Sequence, residues 1–329
     1  MRAVQFCEYG PAGVVHVAEV EEPHAGPGTI RVAVRASGLS VGETYIRSGK
    51  LRGVVPVTFP FLTGFDAAGV VDEVGEGVTG VNEGDEVFGM TAAAVRGANA
   101  DHAVLTAWAP KPAAWSWEEA GGAAGAAETA TRVLDRLAVG AGHTVLVQGA
   151  AGGVGTVAVQ LAVARGATVI GTARERNHGL LRSLGAEPTT YGPGLAERVR
   201  ALAPAGVDAV FDCAGGSLPD LVAIAGDPAR VVTITPDPTA AALGVHLSHG
   251  APAADQTAAK AAKAAKAEEA SIGAADPLAV HGLGIAAELA AQGRLRVPVA
   301  AAFPLTEAAA AAHELSERHH APGKIVLVN

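Results

Sequence analysis

The sequence predicts an α/β protein that combines a doubly wound parallel sheet with a second, mainly antiparallel β domain. Three observations lead to this fold class. A strand, a glycine-rich turn and a helix follow one another over residues 144–164, strands then alternate with helices, and residues 1 to about 108 contain short strands separated by turns. With 329 residues, the chain is long enough for two domains.

The N-terminal part has the pattern of an antiparallel β unit. Turn residues such as Gly10-Pro11, Gly26-Pro27-Gly28 and Glu83-Gly84-Asp85 divide it into short apolar runs. The expected strands are Ala3–Phe6, Val14–Val20, Thr29–Ser37, Ala67–Val74, Asp85–Phe88 and His102–Leu105.

The passage into the second domain is expected after the prolines and tryptophans at 110–117. Ser116, followed three residues later by Glu119, is typical of a helix N-terminus with a capping box. The predicted organisation is a first β part over 1–119, a parallel-sheet domain over 120–252, a linker over 253–270, and a return to the first domain over 271–329.

Residues 144–164 predict a phosphate site. Thr144–Val147 is a β-branched and aliphatic run that suits a strand buried on both faces, and the apolar residues from Thr156 onward suit a helix. The turn between them is rich in glycine. This order leaves backbone N–H groups aimed at one point, at the positive end of the helix dipole.

The turn matches the dinucleotide-binding pattern G-x-G-x-x-G incompletely. Gly152 and Gly155 stand at its second and third positions, and Ala150 replaces the first glycine. A glycine turn that binds nothing therefore stays open as an alternative until the next strand is considered.

The end of the second strand, over residues 166–173, bears on the choice between NAD and NADP. About 20 residues past the glycines, a dinucleotide fold presents an acid to the ribose hydroxyls. Arg174 stands at that place, and its guanidinium can form paired hydrogen bonds with a phosphate. The sequence thus favours NADP(H), although the adjacent Glu175 keeps NAD open.

The remaining pattern alternates strands and helices, as in a parallel sheet covered on both faces. Expected strands are 144–148, 168–173, 208–212, 230–235 and 244–248; expected helices are 154–165, 176–184, 194–203 and 217–225. The tail is expected to form helices at 277–292 and 305–318 and a strand at 324–328. The alanine- and lysine-rich stretch Ala258–Ala270 is interpreted as a solvated helical linker.

Composition limits the possible partners. A net charge of −9 without a basic cluster argues against nucleic acid, and two cysteines, Cys7 and Cys213, fit a reducing cytoplasm. The apolar window at 144–164 is explained by a strand and a helix, so no membrane span is expected there, and the N-terminus lacks a signal-peptide core.

Several motifs in one order resemble the medium-chain dehydrogenase/reductase superfamily, in its zinc-independent quinone oxidoreductase branch. The segments that carry this resemblance are VGETYIRSG (41–49), GFDAAGVV (64–71), VGEGV (74–78), GDEV (84–87), AAGGVG (150–155), LGA (184–186) and GKIVL (323–327). The resemblance implies a GroES-like β domain made from both chain ends, a Rossmann domain between them, and a cleft where nicotinamide meets substrate.

The resemblance also implies that zinc is absent. Zinc-dependent members have a cysteine near Ser40 or Val41 and Gly-His-Glu where this chain has Gly64-Phe65-Asp66, and this chain also lacks the four-cysteine lobe of structural zinc. The pair His319-His320 is expected to be solvated.

Cofactor residues carried over from the family lie in both parts of the chain. Thr129 is implied near the nicotinamide, and Ser40 at the cofactor ribose or the substrate. The other residues implied to bind NADP(H) are Gly152, Gly153 and Val154 at the pyrophosphate, Arg174 and Tyr191 around the 2′-phosphate, and Ala214.

The chain departs from the family pattern at three positions in or next to these predicted sites. Ser40 replaces the common asparagine and Glu43 the common aspartate, which suggests a roomier site and puts a simple quinone in doubt. Glu128 replaces a usual apolar residue, and the sequence offers no physical account of it.

Without a metal, hydride transfer is easiest to a quinone or an α,β-unsaturated carbonyl, where one hydrogen-bond donor suffices. Tyr45 is the candidate donor, and a pocket-shaping Tyr45 with water as the acid is the alternative. The sequence therefore predicts an NADPH-dependent quinone or enone reductase, with an enoyl reductase of bulky polyketide-like intermediates or a non-catalytic NADPH-binding protein as alternatives. A homodimer is expected from a sheet edge near 244–248.

Overall fold

The computed structural model describes residues 1–52, 55–92, 95–251, 275–318 and 322–329. The stretch Ala258–Ala270, the linker 253–270 and the pair His319-His320 lie outside the described residues. The chain divides into two compact units, one of Met1–Ala126 with Leu283–Asn329 and one of Ala127–Gly282. The domain boundaries given above stay predictions.

The chain begins with a β-rich segment, continues with alternating strands and helices, and ends with two helices and two strands. The strands are Arg2–Phe6 (β1), His16–Glu19 (β2), Ile30–Leu39 (β3), Phe61–Leu62 (β4), Asp66–Val74 (β5), Glu86–Met90 (β6), His102–Leu105 (β7), Ala107–Pro110 (β8), Thr144–Gln148 (β9), Thr168–Thr172 (β10), Ala186–Thr189 (β11), Ala209–Asp212 (β12), Val231–Thr233 (β13), His246–Leu247 (β14), Gly250–Ala251 (β15), Asp276–Pro277 (β16), Val299–Pro304 (β17) and Lys324–Val328 (β18). The α-helices are Val41–Arg47 (α1), Trp117–Gly121 (α2), Ala124–Arg136 (α3), Gly153–Ala164 (α4), His178–Ser183 (α5), Leu195–Leu202 (α6), Leu218–Ala225 (α7), Ala240–Leu243 (α8), His281–Ala291 (α9) and Leu305–Glu317 (α10).

The first unit is built on a mainly antiparallel sheet, as the sequence predicts. Its strands run in the order β17-β18-β3-β5-β6-β8, with β7 also paired to β3, and only β17 and β18 are parallel. The C-terminal strand β18 pairs with β3, so the end of the chain completes this unit. Its core includes the buried residues Ile30, Val32, Val71 and Leu105.

Three strands of this unit, β4, β8 and β17, were not expected from the sequence. β4 has only two residues, and β8 ends at Pro110, where the stretch interpreted as a passage between domains begins. β17 contains three consecutive alanines, which carry little β signal. Pro110 is the last residue of β8, which stands at one end of the strand order. A proline is tolerated at such an edge because it removes no hydrogen bond from the sheet interior.

The second unit contains a six-stranded parallel sheet in the order β11-β10-β9-β12-β13-β14. This is the 3-2-1-4-5-6 order of a Rossmann fold, in which the crevice at the strand carboxyl ends lies beside β9. The predicted strand near 244–248 is present as the short β14. β11 was not expected, because Glu187 and Pro188 interrupt its apolar pattern.

The predicted capping box at Ser116 is present. Ser116 Oγ accepts the Glu119 N–H at 3.2 Å, and a Glu119 carboxylate oxygen accepts the Ser116 N–H at 3.0 Å. The helix it begins, α2, ends at Gly121 and belongs to the first unit. Within the described part of the chain, none of the helices has the length and apolarity that crossing a bilayer requires.

Candidate functional site

The glycine turn after β9 is fixed by the neighbouring strand β10. Thr172, the last residue of β10, accepts the Gly149 N–H on its hydroxyl at 3.0 Å and the Ala150 N–H on its carbonyl at 3.0 Å. Its own hydroxyl donates to Gln148 Oε1 at 2.5 Å. Sequence reasoning missed Thr172, although a threonine at the end of a predicted strand next to the turn is a signal for such a contact.

Two glycines of the turn are required by packing. Gly149 has a left-handed φ of 75°, and a Cβ at Gly155 would lie 2.4 Å from the Gly149 carbonyl oxygen. Gly149 therefore adopts the left-handed conformation, and Ala150 does not. This explains why Ala150, which is fully buried, can replace the first glycine of the pattern.

The helix that follows offers a place for an anion. Gly152 is the N-cap of α4, and no side chain caps this helix end. The N–H groups of the first helical turn, including those of Gly153 and Val154, have no acceptor within the helix. A pyrophosphate can accept them, and the helix dipole favours its negative charge.

The structure brings Arg174 and Tyr191 together. Thr172 and Thr189 are paired across β10 and β11, and the two side chains stand two residues past these partners. Arg174 Nε donates to the Tyr191 hydroxyl at 3.1 Å, and Tyr191 is 47% exposed. A guanidinium and a phenol thus lie beside each other at the strand end where the 2′-phosphate is expected. Glu175 is exposed at the start of the following 3₁₀ turn.

Ala214 lies beside the glycine turn, because a Cβ at Gly149 would lie 2.9 Å from the Ala214 Cβ. The buried carboxylate of Asp212 accepts the N–H groups of Ala214 and Gly215 at 3.0 and 2.9 Å and the Thr233 hydroxyl at 2.8 Å. This shapes the loop after β12 next to the turn.

Glu128 has a structural explanation that the sequence did not reveal. Its carboxylate accepts the Arg132 Nε–H at 2.7 Å and the Ala279 N–H at 3.1 Å. Arg132 in turn contacts the Ser248 hydroxyl, which donates to Asp276. The charge that replaces an apolar residue is therefore paired within a buried network.

The same network orients Thr129. Its hydroxyl donates to Glu128 Oε2 at 3.2 Å and accepts from Arg132 Nη2 at 3.4 Å. The hydroxyl hydrogen is thereby directed toward the carboxylate.

In the first unit, Ser40 and Glu43 form a second capping box, at the start of α1. Ser40 Oγ accepts the Glu43 N–H at 3.3 Å, and a Glu43 oxygen accepts the Ser40 N–H at 3.0 Å. The other oxygen accepts the Gly64 N–H. The S-x-x-E spacing was the signal for this role, which sequence reasoning recognised only at Ser116. The Ser40 hydroxyl hydrogen is not used by the capping bond.

Tyr45 lies in α1, two residues past Glu43, and is half-buried. Burial raises the pKa of its phenol, so the hydroxyl keeps its proton at neutral pH and can donate a hydrogen bond. The ammonium of Lys50 lies 5.1 Å from the centre of the Tyr45 ring.

The residues at the zinc positions of related enzymes do not fit zinc. Phe65 offers no donor atom, and the buried carboxylate of Asp66 accepts from Lys324 Nζ at 3.1 Å and from the Gly125 N–H at 2.9 Å. Ser40 acts as the helix cap. Among the described residues, no three or more His, Cys, Asp or Glu side chains are grouped so that they could hold a metal ion.

Two family profiles match the chain. The profile described as "Alcohol dehydrogenase GroES-like domain" matches residues 26–139, and the one described as "Zinc-binding dehydrogenase" matches residues 184–327. The side chains of Ser40, Phe65 and Asp66 do not fit the zinc ion that the second description names.

Curated relatives agree with these profiles. The chloroplast envelope quinone oxidoreductase homolog of Arabidopsis thaliana is 32% identical over 256 residues, which cover 73% of this chain and 76% of that protein. A polyketide synthase system protein, NorB of Streptomyces orinoci, is 36% identical over 198 residues, 59% of this chain but only 9% of that protein. For some other relatives the matched region is about half of their length.

Solved structures match over the whole chain. Mycobacterial Rv1454c complexed with NADPH is 26% identical, with a TM-score of 0.74 and 100% of both chains covered. An NAD-dependent alcohol dehydrogenase is 28% identical, with a TM-score of 0.76 and 100% of both chains covered. The chain belongs to the medium-chain dehydrogenase/reductase superfamily, where it is quinone-oxidoreductase-like, and it is an oxidoreductase.

Proposed function

We propose that this protein is an NADPH-dependent, metal-independent reductase that transfers hydride to a quinone or an α,β-unsaturated carbonyl compound. The observation that carries the proposal is the contact of Arg174 with Tyr191 at the end of β10, one strand away from the glycine turn. A cation and a phenol there provide donors for a 2′-phosphate, which NADP has and NAD lacks.

The glycine turn and α4 supply the rest of the nucleotide site. The first-turn N–H groups of α4 bind the pyrophosphate, and Gly152 lets the backbone approach it closely. The relative solved with NADPH supports this cofactor, whereas the NAD-dependent relative makes the choice of nucleotide a matter for direct measurement.

The reduced nicotinamide supplies a hydride when it is bound. The protein's part is to stabilise the negative charge that then develops on the acceptor oxygen, and a conjugated acceptor places that charge on an oxygen remote from the carbon attacked. The protonated Tyr45 donates its hydroxyl hydrogen to this oxygen. Phe65 and Asp66 do not suit a metal ion that would act as a Lewis acid, because Phe65 has no donor atom and Asp66 is paired with Lys324.

A second candidate is an enoyl reductase that acts on a bulky polyketide-like intermediate. The similarity to the polyketide synthase protein favours it, as does the replacement of the family's asparagine and aspartate by Ser40 and Glu43. Both candidates transfer hydride to an acceptor that is conjugated to a carbonyl, so they differ in the acceptor and not in the site chemistry.

Steady-state loss of NADPH absorbance with a panel of acceptors tests the proposal. The panel contains simple quinones, short enones and α,β-unsaturated acyl thioesters of increasing length. We expect turnover with at least one class, and preference for the long thioesters would select the second candidate. Tight NADPH binding without turnover of any acceptor would instead indicate a nucleotide-binding protein without enzymatic activity.

The cofactor preference is tested by Arg174→Ala. The variant should weaken NADPH binding by about 1.5–3 kcal/mol, the scale of a charge-assisted contact, and leave NADH binding nearly unchanged. Isothermal titration with both nucleotides measures this. Arg176→Ala is the matched control, because Arg176 is an exposed arginine in the same short turn. Equal weakening of both nucleotides would contradict the assignment.

The role of Tyr45 is tested by Tyr45→Phe. If the hydroxyl donates to the acceptor, kcat should fall by about 100-fold while the NADPH dissociation constant stays the same. Tyr9→Phe serves as a control at another tyrosine of the same unit. Unchanged turnover would show that water supplies the proton and that Tyr45 only shapes the pocket.

A further inference from the structure

Arg198 fastens the loop that carries Tyr191. The side chain comes from α6 and is half-buried. Its Nη2 donates to the Thr190 carbonyl at 2.9 Å and its Nη1 to the Pro193 carbonyl at 2.9 Å. Longer contacts of 3.5 and 3.4 Å reach the carbonyls of Tyr191 and Gly192. One guanidinium thus contacts four consecutive carbonyl groups.

The loop depends on this contact because its own sequence is poorly suited to rigidity. Gly192 and Gly194 both have left-handed φ values, 84° and 78°, and glycine loses the most conformational freedom when it is ordered. The Leu195 N–H donates to the Gly192 carbonyl at 3.1 Å, and the Arg198 N–H to the Gly194 carbonyl at 3.2 Å. These bonds close the loop onto α6 but leave the carbonyls of 190, 191 and 193 to Arg198.

The guanidinium of Arg198 also occupies the space that a side chain at position 194 would need. A Cβ at Gly194 would lie 2.9 Å from Arg198 Nη1, so a side chain there would displace the guanidinium from the Pro193 carbonyl. Glycine at 194 therefore serves the placement of Arg198 as well as the left-handed backbone.

The contacts form a chain from α6 to the proposed phosphate site. Arg198 holds the backbone on both sides of Tyr191, and the Tyr191 hydroxyl accepts from Arg174 Nε. The Ala173 N–H donates to the Thr189 carbonyl at 3.0 Å, which joins the backbones just before the two side chains. Loss of the Arg198 contacts would release Tyr191 and, with it, one partner of Arg174.

We infer that Arg198 is a positioning residue that sets the preference for NADPH over NADH, by holding Tyr191 beside Arg174. In this role it acts through Tyr191, whose backbone its guanidinium contacts. The inference rests on the proposed function, because it needs the 2′-phosphate to bind at Arg174 and Tyr191. It adds a residue from a third element, α6, to the determinants of cofactor choice.

The test is a comparison of nucleotide dissociation constants in Arg198→Met, which keeps the length of the side chain and removes its donors. The NADPH constant should rise about tenfold, while the NADH constant changes by less than about twofold. Arg198→Lys retains one donor group and should restore part of the NADPH affinity. Arg200→Met, an exposed arginine of the same helix, is the matched control and should change neither constant.

A double-mutant cycle separates positioning from general stability. In a Tyr191→Phe background, Arg198→Met should have a much smaller effect on NADPH binding, because the hydroxyl that it holds in place is gone. Full additivity of the two changes would overturn the inference, as would equal weakening of NADPH and NADH. If Arg198→Met fails to fold, Arg198→Gln and Arg198→Lys give the same comparison.

The result also distinguishes this inference from the proposed function. If Arg174→Ala leaves NADPH binding unchanged, the phosphate site itself is wrong and the inference falls with it. If Arg174→Ala is selective for NADPH but Arg198→Met is not, only the positioning role is wrong.

Discussion

The glycine turn of residues 149–155 and the helix that carries Tyr45 belong to different units and are held in place by different interactions. The turn is fixed by backbone N–H groups, by the Thr172 hydroxyl and by close contacts that only glycine allows. The helix α1 lies among buried charges. Arg47, fully buried, pairs with Glu317 and donates to the Gly10 carbonyl, and the Glu43 carboxylate accepts two backbone N–H groups.

This difference affects how much of each region a sequence reveals. A backbone-built turn needs residues that are close together along the chain, so its glycine spacing is visible. The charges around α1 need partners far away, such as Arg47 with Glu317, 270 positions apart, and Asp66 with Lys324, 258 positions apart. A buried charge without its partner is costly, so these regions should also respond differently to mutation.

The largest effect is expected from Asp66→Ala in the first unit. The change leaves the buried Lys324 ammonium without its carboxylate, and breaking a buried pair in this way costs about 3–5 kcal/mol. Urea denaturation should show this loss, and the double variant Asp66→Ala with Lys324→Met should recover much of it.

The control for this change is Glu314→Ala. Glu314 pairs with Arg318 on an exposed helix face, and exposed i,i+4 pairs contribute about 0.3–0.5 kcal/mol. If Asp66→Ala were no more destabilising than Glu314→Ala, the buried charges would not be what stabilises this unit.

A smaller effect, of a different kind, is expected in the glycine turn. Gly155→Ala places a Cβ 2.4 Å from the Gly149 carbonyl oxygen, and overpacking of this sort costs about 1–3 kcal/mol of folding free energy. Gly152→Ala meets its nearest atom at 3.4 Å, so it should leave stability nearly unchanged and weaken NADPH binding by obstructing the pyrophosphate.

Thermal denaturation and nucleotide titration of both variants distinguish the two roles. Gly179→Ala, in α5 with no atom within 4 Å of the added Cβ, is the control and should be neutral or slightly stabilising. Weaker NADPH binding by Gly155→Ala without any loss of stability would contradict the packing role of Gly155.

The sequence predicted the architecture of both units, because turn residues and alternating apolar runs act locally. The Rossmann part and the antiparallel β part are confirmed, and the C-terminal strand β18 pairs with β3. Among the strands that it missed, β8, β11 and β17 stand at ends of a strand order and contain proline or small residues. Their pairing is decided by neighbouring strands and not by their own composition.

The candidate site was predictable only where residue type and place together limit the chemistry. Arg174 was proposed because a cation replaces the expected acid at a strand end. Glu128 and Glu43 were noticed only as departures from a family pattern, since their partners Arg132, Ala279 and Gly64 are known only from the fold. The functional roles of all the candidate residues stay predictions, as does the homodimer; these residues are Ser40, Tyr45, Thr129, Gly152, Gly153, Val154, Arg174, Tyr191 and Ala214.

The last prediction concerns acid and the buried charges around α1. His313, in α10, is fully buried, and neither ring nitrogen has a hydrogen-bond partner among the described residues. Burial, with a further contribution from the nearby Arg47 cation, lowers the pKa of His313 from 6.5 to about 3. The unfolded chain therefore binds a proton below pH 6.5 that the folded chain refuses until about pH 3. Stability from this residue is complete above pH 6.5 and is lost as the pH falls, by about 2 kcal/mol at pH 5.

Replacing His313 by leucine should remove this part of the acid sensitivity. At pH 8 the variant should be as stable as the parent or slightly more stable, because two unsatisfied polar atoms leave the interior. At pH 5 it should exceed the parent by about 2 kcal/mol in urea denaturation. The same measurement on His24→Gln, whose side chain is 76% exposed, should follow the parent at both pH values. A parallel loss of stability in His313→Leu and the parent between pH 8 and pH 5 would mean that His313 accepts its proton in the folded state, which would place the acid sensitivity of this unit in its carboxylates.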